Sequence, residues 1–325
     1  MQHLLFLSVF FGFLVLSGCH NKNDKPAPEQ DIKIYSGNII NPSLNELQAI
    51  YDAGYTYVYG EVRIVDLSEM MDLHLLSKIK GIKNDFIIAS NNDLISFTGL
   101  EYLESVGGTF HIWGNNNLEI ISNLNSLQTV GESLEIESHK KLINILGFRE
   151  LQTIGKDFSI ASNIKLVSVQ NFNTLISVGN RYVINGNDSL KNIIGFENLQ
   201  SIDEYLGVEN NDNLTYLPNF KSLKYIHEVF IAENDKLISL IGLDSLQVVD
   251  RVLSIYKNPN LINIDGLSGL QSVGLDLRFT KNISLTDFCS VKTLLTENGD
   301  NVLTFIFENK FNPTVEDIIA GNCSQ

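Results

Sequence analysis

A period of 24 residues constrains this chain more than any other feature of its sequence. In the segment 157–180 (DFSIASNIKLVSVQNFNTLISVGN), apolar residues stand at fixed positions, with Asn163 near the middle and Gly179 near the end. The 24 residues before this segment and the 24 after it carry the same pattern. A fixed period of this length indicates a repeat fold in which successive copies stack on one another.

The pattern of one copy indicates how each turn is built. Leu134 and Ile136 are separated by a single residue, which is the spacing of a strand with one face buried. Phe148 follows as an inward aromatic residue, and Gly155 permits a tight return. Three residues after each strand comes a corner residue, an asparagine in every copy but one, whose side chain can bond backbone groups; His139 is expected to be a structural substitute. We expect a stacked ladder from these corner residues, which are Asn91, Asn115, His139, Asn163, Asn187, Asn211, Asn234, Asn258 and Asn282.

No part of the repeat has room for a long helix, so we predict a mainly β, right-handed β-solenoid. About ten turns over residues 57–284 would form a rod roughly 45–50 Å long at the usual strand spacing. Residues 35–56 are predicted to be an N-terminal helical cap. Its helix is expected over 42–54, with Ser43 as N-cap and Glu46 as its capping-box partner.

The N-terminus has the features of an exported lipoprotein. Residues 4–16 are an apolar run that is too short to span a bilayer and suits a signal peptide. The run ends in Leu-Ser-Gly-Cys, which resembles a bacterial lipobox, so residues 1–19 are predicted to be a signal peptide and Cys19 the lipidated residue. Residues 20–34 are predicted to be a tether. These features imply a lipid anchor in the outer membrane, on its periplasmic or outer side; the alternative is an ordinary secretory signal.

The C-terminal residues 285–325 are predicted to be a second cap, with helices over 286–295 and 313–320 and a strand over 302–307. Once Cys19 is lipidated, the remaining thiols are Cys289 and Cys323. Disulfides persist in exported proteins, so we predict a bond between these two residues. The alternative is two free cysteines.

The frame of the repeat is similar to that of a known family. The segment 253–274, LSIYKNPNLINIDGLSGLQSVG, resembles the receptor L-domain, a β-helix related to leucine-rich repeats. That domain occurs in the ligand-binding regions of the insulin and EGF receptors. It also occurs in secreted or lipid-anchored bacterial proteins, notably of the Bacteroidetes. The resemblance covers residues 57–323 and implies a fold and a binding role, with no catalytic motif to carry over.

Candidate binding residues are expected on the outward strand positions, because the inward positions hold apolar side chains. Two such positions per turn form one face of a sheet that mixes aromatic and charged residues. Exposed aromatic side chains among polar groups are typical of binding surfaces for protein or carbohydrate. The candidate residues are Arg63, His111, Trp113, Glu135, Glu137, Glu209, Phe230, Tyr256 and Arg278. The alternative is that this face is merely tolerant of substitution.

Composition and motifs argue against several classes of function. The net charge of −15 disfavours a nucleic-acid partner, because phosphate binding needs a basic patch. The sequence has no Cys/His metal spacing, Gly-rich phosphate loop or nucleophile elbow, so no metal, cofactor or catalytic residue is predicted. Glu135 and Glu137 lie two apart and could form a carboxylate pair for glycoside hydrolysis, but a solvated pair is favoured.

The sequence therefore predicts a non-enzymatic, lipid-anchored cell-envelope protein. Its partners would be the membrane, through the lipid, and a protein or carbohydrate ligand on the outward sheet face. A structural or adhesive surface protein is the alternative, and a polysaccharide-active β-helix enzyme is a minor one.

Overall fold

The computed structural model describes residues 32–325. The predicted signal peptide 1–19, the predicted lipidation of Cys19 and residues 20–31 of the predicted tether lie outside the described residues. Among the described residues, no helix is long and apolar enough to cross a bilayer.

The chain is mainly β, as the repeat predicts, and most of its strands are short. In chain order they are β1 Ile34–Tyr35, β2 Ile39–Ile40, β3 Tyr57–Val58, β4 Val62–Val65, β5 Gly81–Ile82, β6 Phe86–Ala89, β7 Ser105–Val106, β8 Phe110–Trp113, β9 Ile120–Ile121, β10 Thr129–Val130, β11 Leu134–Glu137, β12 Asn144–Ile145, β13 Thr153–Ile154, β14 Phe158–Ala161, β15 Ser168–Val169, β16 Ser177–Val178, β17 Arg181–Asn185, β18 Asn192–Ile193, β19 Ser201–Ile202, β20 Tyr205–Glu209, β21 Tyr225–Ala232, β22 Val248–Tyr256, β23 Ser272–Val273, β24 Asp276–Thr280 and β25 Leu303–Phe307. The α-helices are α1 Leu44–Ala53, α2 Lys292–Asn298 and α3 Val315–Ala320. Single 3₁₀ turns lie at His74–Leu76, Asp265–Leu267, Cys289–Val291 and Gly299–Asn301.

These strands form three parallel sheets. The 13-stranded sheet, called the long sheet below, has the order β2-β4-β6-β8-β11-β14-β17-β20-β21-β22-β24-β25, with β23 paired to β22. An eight-stranded sheet has the order β1-β3-β5-β7-β10-β13-β16-β19, and a four-stranded sheet the order β18-β15-β12-β9. Neighbouring strands come from consecutive repeats, so Leu134 pairs with Phe158 and Phe158 with Tyr182, each 24 residues on. The repeat period is therefore the register of the sheets.

The predicted amide ladder is present and fully buried. The backbone N–H of Asn163 donates to Oδ1 of Asn187 over 3.1 Å, and Nδ2 of Asn187 donates to the carbonyl of Ile160 over 2.9 Å. The other asparagine corners of the column make the same pair of bonds, so each of them satisfies buried backbone groups of its neighbour. His139 bonds instead to Oδ1 of Asn163, through Nδ1 at 3.0 Å. The ladder continues beyond Asn282 to Asn309, whose Oδ1 accepts from the Asn282 N–H at 3.0 Å. Sequence spacing missed this member because it lies 27 residues on, instead of 24.

Stacked aromatic rings fill the interior at the bends of the central turns. Phe172 lies 5.0 Å from both Phe148 and Phe196, with nearly parallel rings, and all three side chains are fully buried. At the tight return, a Cβ at Gly155 would lie 2.0 Å from the carbonyl oxygen of Gly131, so the stacking distance itself requires glycine there.

The N-terminal helix forms as predicted, but the segment around it also adds strands. The hydroxyl of Ser43 accepts from the Glu46 N–H, the Glu46 carboxylate accepts from the Ser43 N–H, and Gly54 ends the helix in the left-handed region. Ile34–Tyr35 and Ile39–Ile40 pair with β3 and β4. The segment predicted as tether and helical cap thus contributes one further layer to two of the sheets.

The C-terminal segment keeps the repeat frame longer than predicted. Phe288 and Val291 are fully buried, 24 residues after Ile264 and Leu267 in the same frame, so the helix expected from Thr286 begins only after the 3₁₀ turn. Cys289 and Cys323 form the disulfide that the cysteine count predicts. On the chain-entropy model a loop of this length stabilises the fold by about 3–4 kcal/mol.

Candidate binding face

The outward-pointing side chains of the long sheet form one continuous surface, called the outer face below. All nine residues predicted as a binding surface lie on it. Trp113 and Arg278 are exposed and the other seven are half-buried. The outer face also has a third column of residues, at the strand starts. The sequence analysis missed this column because it considered only two outward positions per turn. This column comprises Glu61, Asp85, Thr109, Ser133, Asp157, Arg181, Tyr205, Glu228, Val252 and Asp276.

Some outward positions are nevertheless covered. Ala89, Ser254 and Thr280 occupy outward positions of the long sheet, yet they are buried. Each has a larger side chain beside it in register: Ala89 neighbours Trp113, Ser254 neighbours Phe230, and Thr280 neighbours Phe307. These three positions therefore add little to the accessible surface of the outer face.

Trp113 belongs to a cluster with one imidazole and two carboxylates. Its ring lies 6.3 Å from the ring of His111, and it is 39% exposed. His111 lies between the carboxylates, with Nδ1 3.7 Å from Glu135 Oε2 and Nε2 3.8 Å from Glu137 Oε2. These distances exceed hydrogen-bond length, so the contacts are electrostatic.

The two carboxyl groups of this cluster differ in their acidity. Burial raises the pKa of Glu135, and the neighbouring His111 opposes that effect. For Glu137, the interaction with His111 and the 3.2 Å hydrogen bond from the Ser159 hydroxyl lower the pKa against the effect of burial. Carboxyl groups whose environments push their pKa values apart are also found in acid–base catalysis. In this cluster, the carboxyl groups of Glu135 and Glu137 lie on either side of the His111 imidazole.

A depression of about 640 Å³ opens elsewhere on the outer face, over β17 and β20 to β22. It is shallow, and its lining combines one aromatic ring, one aliphatic side chain, the amide of Asn180 and charged groups. The residues that shape it are Arg181, Val183, Tyr205, Glu209, Glu228 and Arg251. Of these, only Glu209 was among the predicted candidates.

The ring of Tyr205 forms the wall of this depression because Gly207 leaves room for it. A Cβ at Gly207 would lie 2.4 Å from Cε1 of Tyr205. The Tyr205 hydroxyl donates to Oε1 of Glu209 at 2.5 Å, and its ring stacks 5.3 Å from that of Phe230. Burial, followed by this bond to Glu209, raises the pKa of Tyr205, so the phenol stays protonated as a donor.

Both arginines of the depression are paired with carboxylates of the protein. Arg181 donates two hydrogen bonds to the carboxylate of Asp157, through Nε at 3.2 Å and Nη2 at 2.7 Å. That carboxylate holds the pKa of Arg181 above its usual range. Arg251 Nη1 lies 3.1 Å from Glu228 Oε1. The arginines therefore present fixed planar donors with little net positive charge.

A smaller depression of about 380 Å³ lies where the first strands of the long sheet begin. Glu61, Asp85 and Glu132 contribute carboxylates, and Lys83 is the basic residue in its lining. Among the described residues, no group of three or more His, Cys, Asp or Glu side chains is placed to hold a metal ion.

The C-terminal end of the outer face is aromatic and ends in an open strand. The guanidinium of Arg278 lies 5.2 Å from the ring centre of Phe305, and Nζ of Lys281 lies 5.4 Å from that of Tyr256. In the described part of the chain, β25 pairs with β24 alone, and its outward residues Leu303 and Phe307 are 65% and 48% exposed.

The sequence contains a pattern that would have predicted the outward positions of Tyr205 and Arg181. Tyr205 and Arg181 continue the outward alternation one step before the first buried position of their strands, where β17 and β20 are one residue longer than β14. Extending the alternation back by two positions would have found them.

No protein-family model matches this chain, and no curated protein is significantly similar to it in sequence.

Proposed function

We propose that this protein is a right-handed β-solenoid of the receptor L-domain type, anchored to the outer membrane through lipid on Cys19. It binds a protein or carbohydrate ligand on the outer face of the long sheet, and it acts by binding rather than by catalysis. The 24-residue register of all three sheets supports the solenoid assignment. The lipid anchor rests on the sequence of the first 19 residues.

One observation carries the binding role. The inward positions of the long sheet hold buried aliphatic or aromatic side chains in every turn, whereas its outward positions differ in polarity from turn to turn and bring aromatic rings together with charges. Tyr205 and Phe230 stack, Trp113 lies beside His111, and a depression opens next to the first pair. Partly exposed aromatic side chains among fixed polar groups are the composition of recognition surfaces.

The carboxylates of the Trp113 cluster do not line this depression. Glu135 and Glu137 are instead held against His111. This arrangement supports a binding surface more than a glycosidase site, in which two carboxyl groups flank a bound sugar.

The binding role is tested by screening the mature protein against glycan and protein arrays and then measuring each hit with variants. Tyr205→Ala and Trp113→Ala change the outer face at two places, and Thr153→Ala changes an exposed residue of the eight-stranded sheet as a control. We expect at least one outer-face variant to weaken binding and the control to leave it unchanged. A ligand that none of the outer-face variants affects would reject the assignment of the site.

A second candidate function is adhesion or a structural role, and β25 is the observation that favours it. An uncharged strand with an open edge can pair with a strand of another molecule. The test is sedimentation of the protein over a range of concentrations, with Ile306→Pro to block backbone pairing. Adhesion through β25 predicts concentration-dependent association that this variant removes. A monomer at all concentrations contradicts it.

Cys19 offers a separate test of the anchor. Replacing Cys19 by Ala is expected to move the protein from the membrane fraction to the soluble fraction of the cell envelope. Mass spectrometry of the wild-type N-terminus is expected to show acyl chains on Cys19, and an unmodified N-terminus would contradict the proposal.

A further inference from the structure

The depression on the outer face has a preformed aromatic platform. Two neighbours hold the Tyr205 ring: its hydroxyl is tied to Glu209 at 2.5 Å, and its ring is stacked on Phe230. Val183, in the adjacent strand, lines the floor next to it. A ring fixed in this way can accept the apolar face of a ligand without losing side-chain freedom on binding.

An extended peptide cannot bind here by adding a strand. β17 pairs with β14 and β20, and β20 pairs with β17 and β21, so the backbone groups beneath the depression are already bonded on both sides. Recognition must therefore come from side chains alone. A ligand with many small hydrogen-bonding groups on a rigid frame suits such a site better than a peptide, whose main recognition on sheets uses backbone bonds.

The charge of the lining argues against an anionic ligand. Arg181 is matched by Asp157, and Arg251 is matched by Glu228. Glu204 and Glu209 add two further carboxylates to the lining. The arginines and carboxylates can still donate to and accept from hydroxyl groups, but the site repels carboxylate, sulfate and phosphate.

We propose that this depression binds an uncharged oligosaccharide, with one sugar ring stacked on Tyr205 and its hydroxyl groups hydrogen-bonded to Arg181 and Glu209. The inference rests on the proposed function, because it identifies the ligand class for the outer face. It assigns Tyr205 as the stacking residue and Glu209 as a group that both holds the ring and contacts the sugar.

The test measures binding of four neutral hexasaccharides (cellohexaose, mannohexaose, maltohexaose and xylohexaose) to the mature protein by calorimetry and saturation-transfer NMR. Oligogalacturonate and hexalysine are the charged probes. We expect at least one neutral hexasaccharide to bind and oligogalacturonate not to bind. Tyr205→Ala is expected to raise the Kd about tenfold or more, because it removes the stacking surface.

Two further variants make the result specific. Tyr205→Phe keeps the ring and loses the bond to Glu209, so the Kd is expected to rise only about threefold. Thr153→Ala changes an exposed residue of the eight-stranded sheet, and as the control it is expected to leave the Kd unchanged. A thermal unfolding curve for each variant shows whether it is folded.

The outcomes separate this inference from the proposed function. If no neutral hexasaccharide binds, or if Tyr205→Ala leaves the Kd unchanged, the oligosaccharide site is wrong. Tighter binding of oligogalacturonate or hexalysine also overturns it. If hexalysine or an array protein binds instead and Trp113→Ala weakens that binding, the outer face remains the binding surface and only the ligand class is rejected. If every array ligand is insensitive to all outer-face variants, the proposed function itself fails.

Discussion

The inward and outward sides of the long sheet belong to the same strands and obey different constraints. Inward, Phe158, Tyr182 and Leu206 stack in one column, and every member is fully buried. Outward, the residues next to them are Ser159, Val183 and Gly207, followed by Phe230. Burial requires a mainly apolar side chain at each inward position, but it makes no such demand on the outward one. Outward residues can therefore vary for ligand binding without destabilising the fold. Substitutions on the two sides of the sheet test this difference.

The largest expected effect comes from the interior aromatic column. Phe172→Ala removes a ring that contacts Phe148, Phe158 and Phe196, and it leaves a cavity in the middle of the stack. We expect the free energy of unfolding to fall by about 3–5 kcal/mol, measured by chemical denaturation. A loss below about 1 kcal/mol would show that the interior is loosely packed and would weaken the contrast between the two sides.

A substitution in the amide ladder is expected to lower the free energy of unfolding nearly as much. Asn187→Ala leaves the N–H of Asn163 and the carbonyl of Ile160 without their buried partners. The expected loss in the free energy of unfolding is about 2–4 kcal/mol. Asn185→Ala, two residues earlier on the outer face, is the matched control, and its effect is expected to be under about 1 kcal/mol. Equal losses for the two asparagines would contradict the distinction.

His139 gives the ladder a pH dependence that asparagine would not. Burial lowers the pKa of His139 to about 4, although its bond to Asn163 opposes that effect. The unfolded chain takes up this proton near pH 6.5 and the folded one only near 4, so folding stability falls as the pH falls between these values. At pH 5 the loss relative to pH 7.5 is about 2 kcal/mol.

His139→Asn is the test of this pH dependence, because it restores the residue used elsewhere in the column. Denaturation curves at pH 7.5 and 5 are expected to show a smaller loss for the variant than for the wild type, by about 2 kcal/mol. A wild type and variant that lose the same stability would mean that His139 is not buried in its neutral form.

The smallest effect is expected for a plain outward residue. Ser159→Ala removes one half-buried hydroxyl that donates to Glu137 at 3.2 Å. We expect the free energy of unfolding to change by under about 0.5 kcal/mol. A larger loss, seen in the same denaturation assay, would show that the outer face also contributes to the fold.

The sequence predicts what every turn must repeat, and it is less informative where turns differ. The corner asparagines, the inward phenylalanines and the capping box of Ser43 follow from spacing and local chemistry, and all are present. The platform of Tyr205 was not predicted, because it depends on a missing side chain at Gly207 and on a bond that reaches four residues along the strand. Such features arise from the packing of neighbouring side chains, which a period does not encode.

Gly207→Ala most directly tests whether the outer face serves recognition independently of the fold. The added Cβ would lie 2.4 Å from Cε1 of Tyr205 and 2.9 Å from Oε1 of Glu209, so the ring must leave the platform and the carboxylate must shift, although no polar group is removed from the chain. The free energy of unfolding is expected to change by under about 1 kcal/mol, and the Kd for the bound hexasaccharide to rise about tenfold or more. An unchanged Kd for this variant would contradict the assignment of the Tyr205 platform as the binding site.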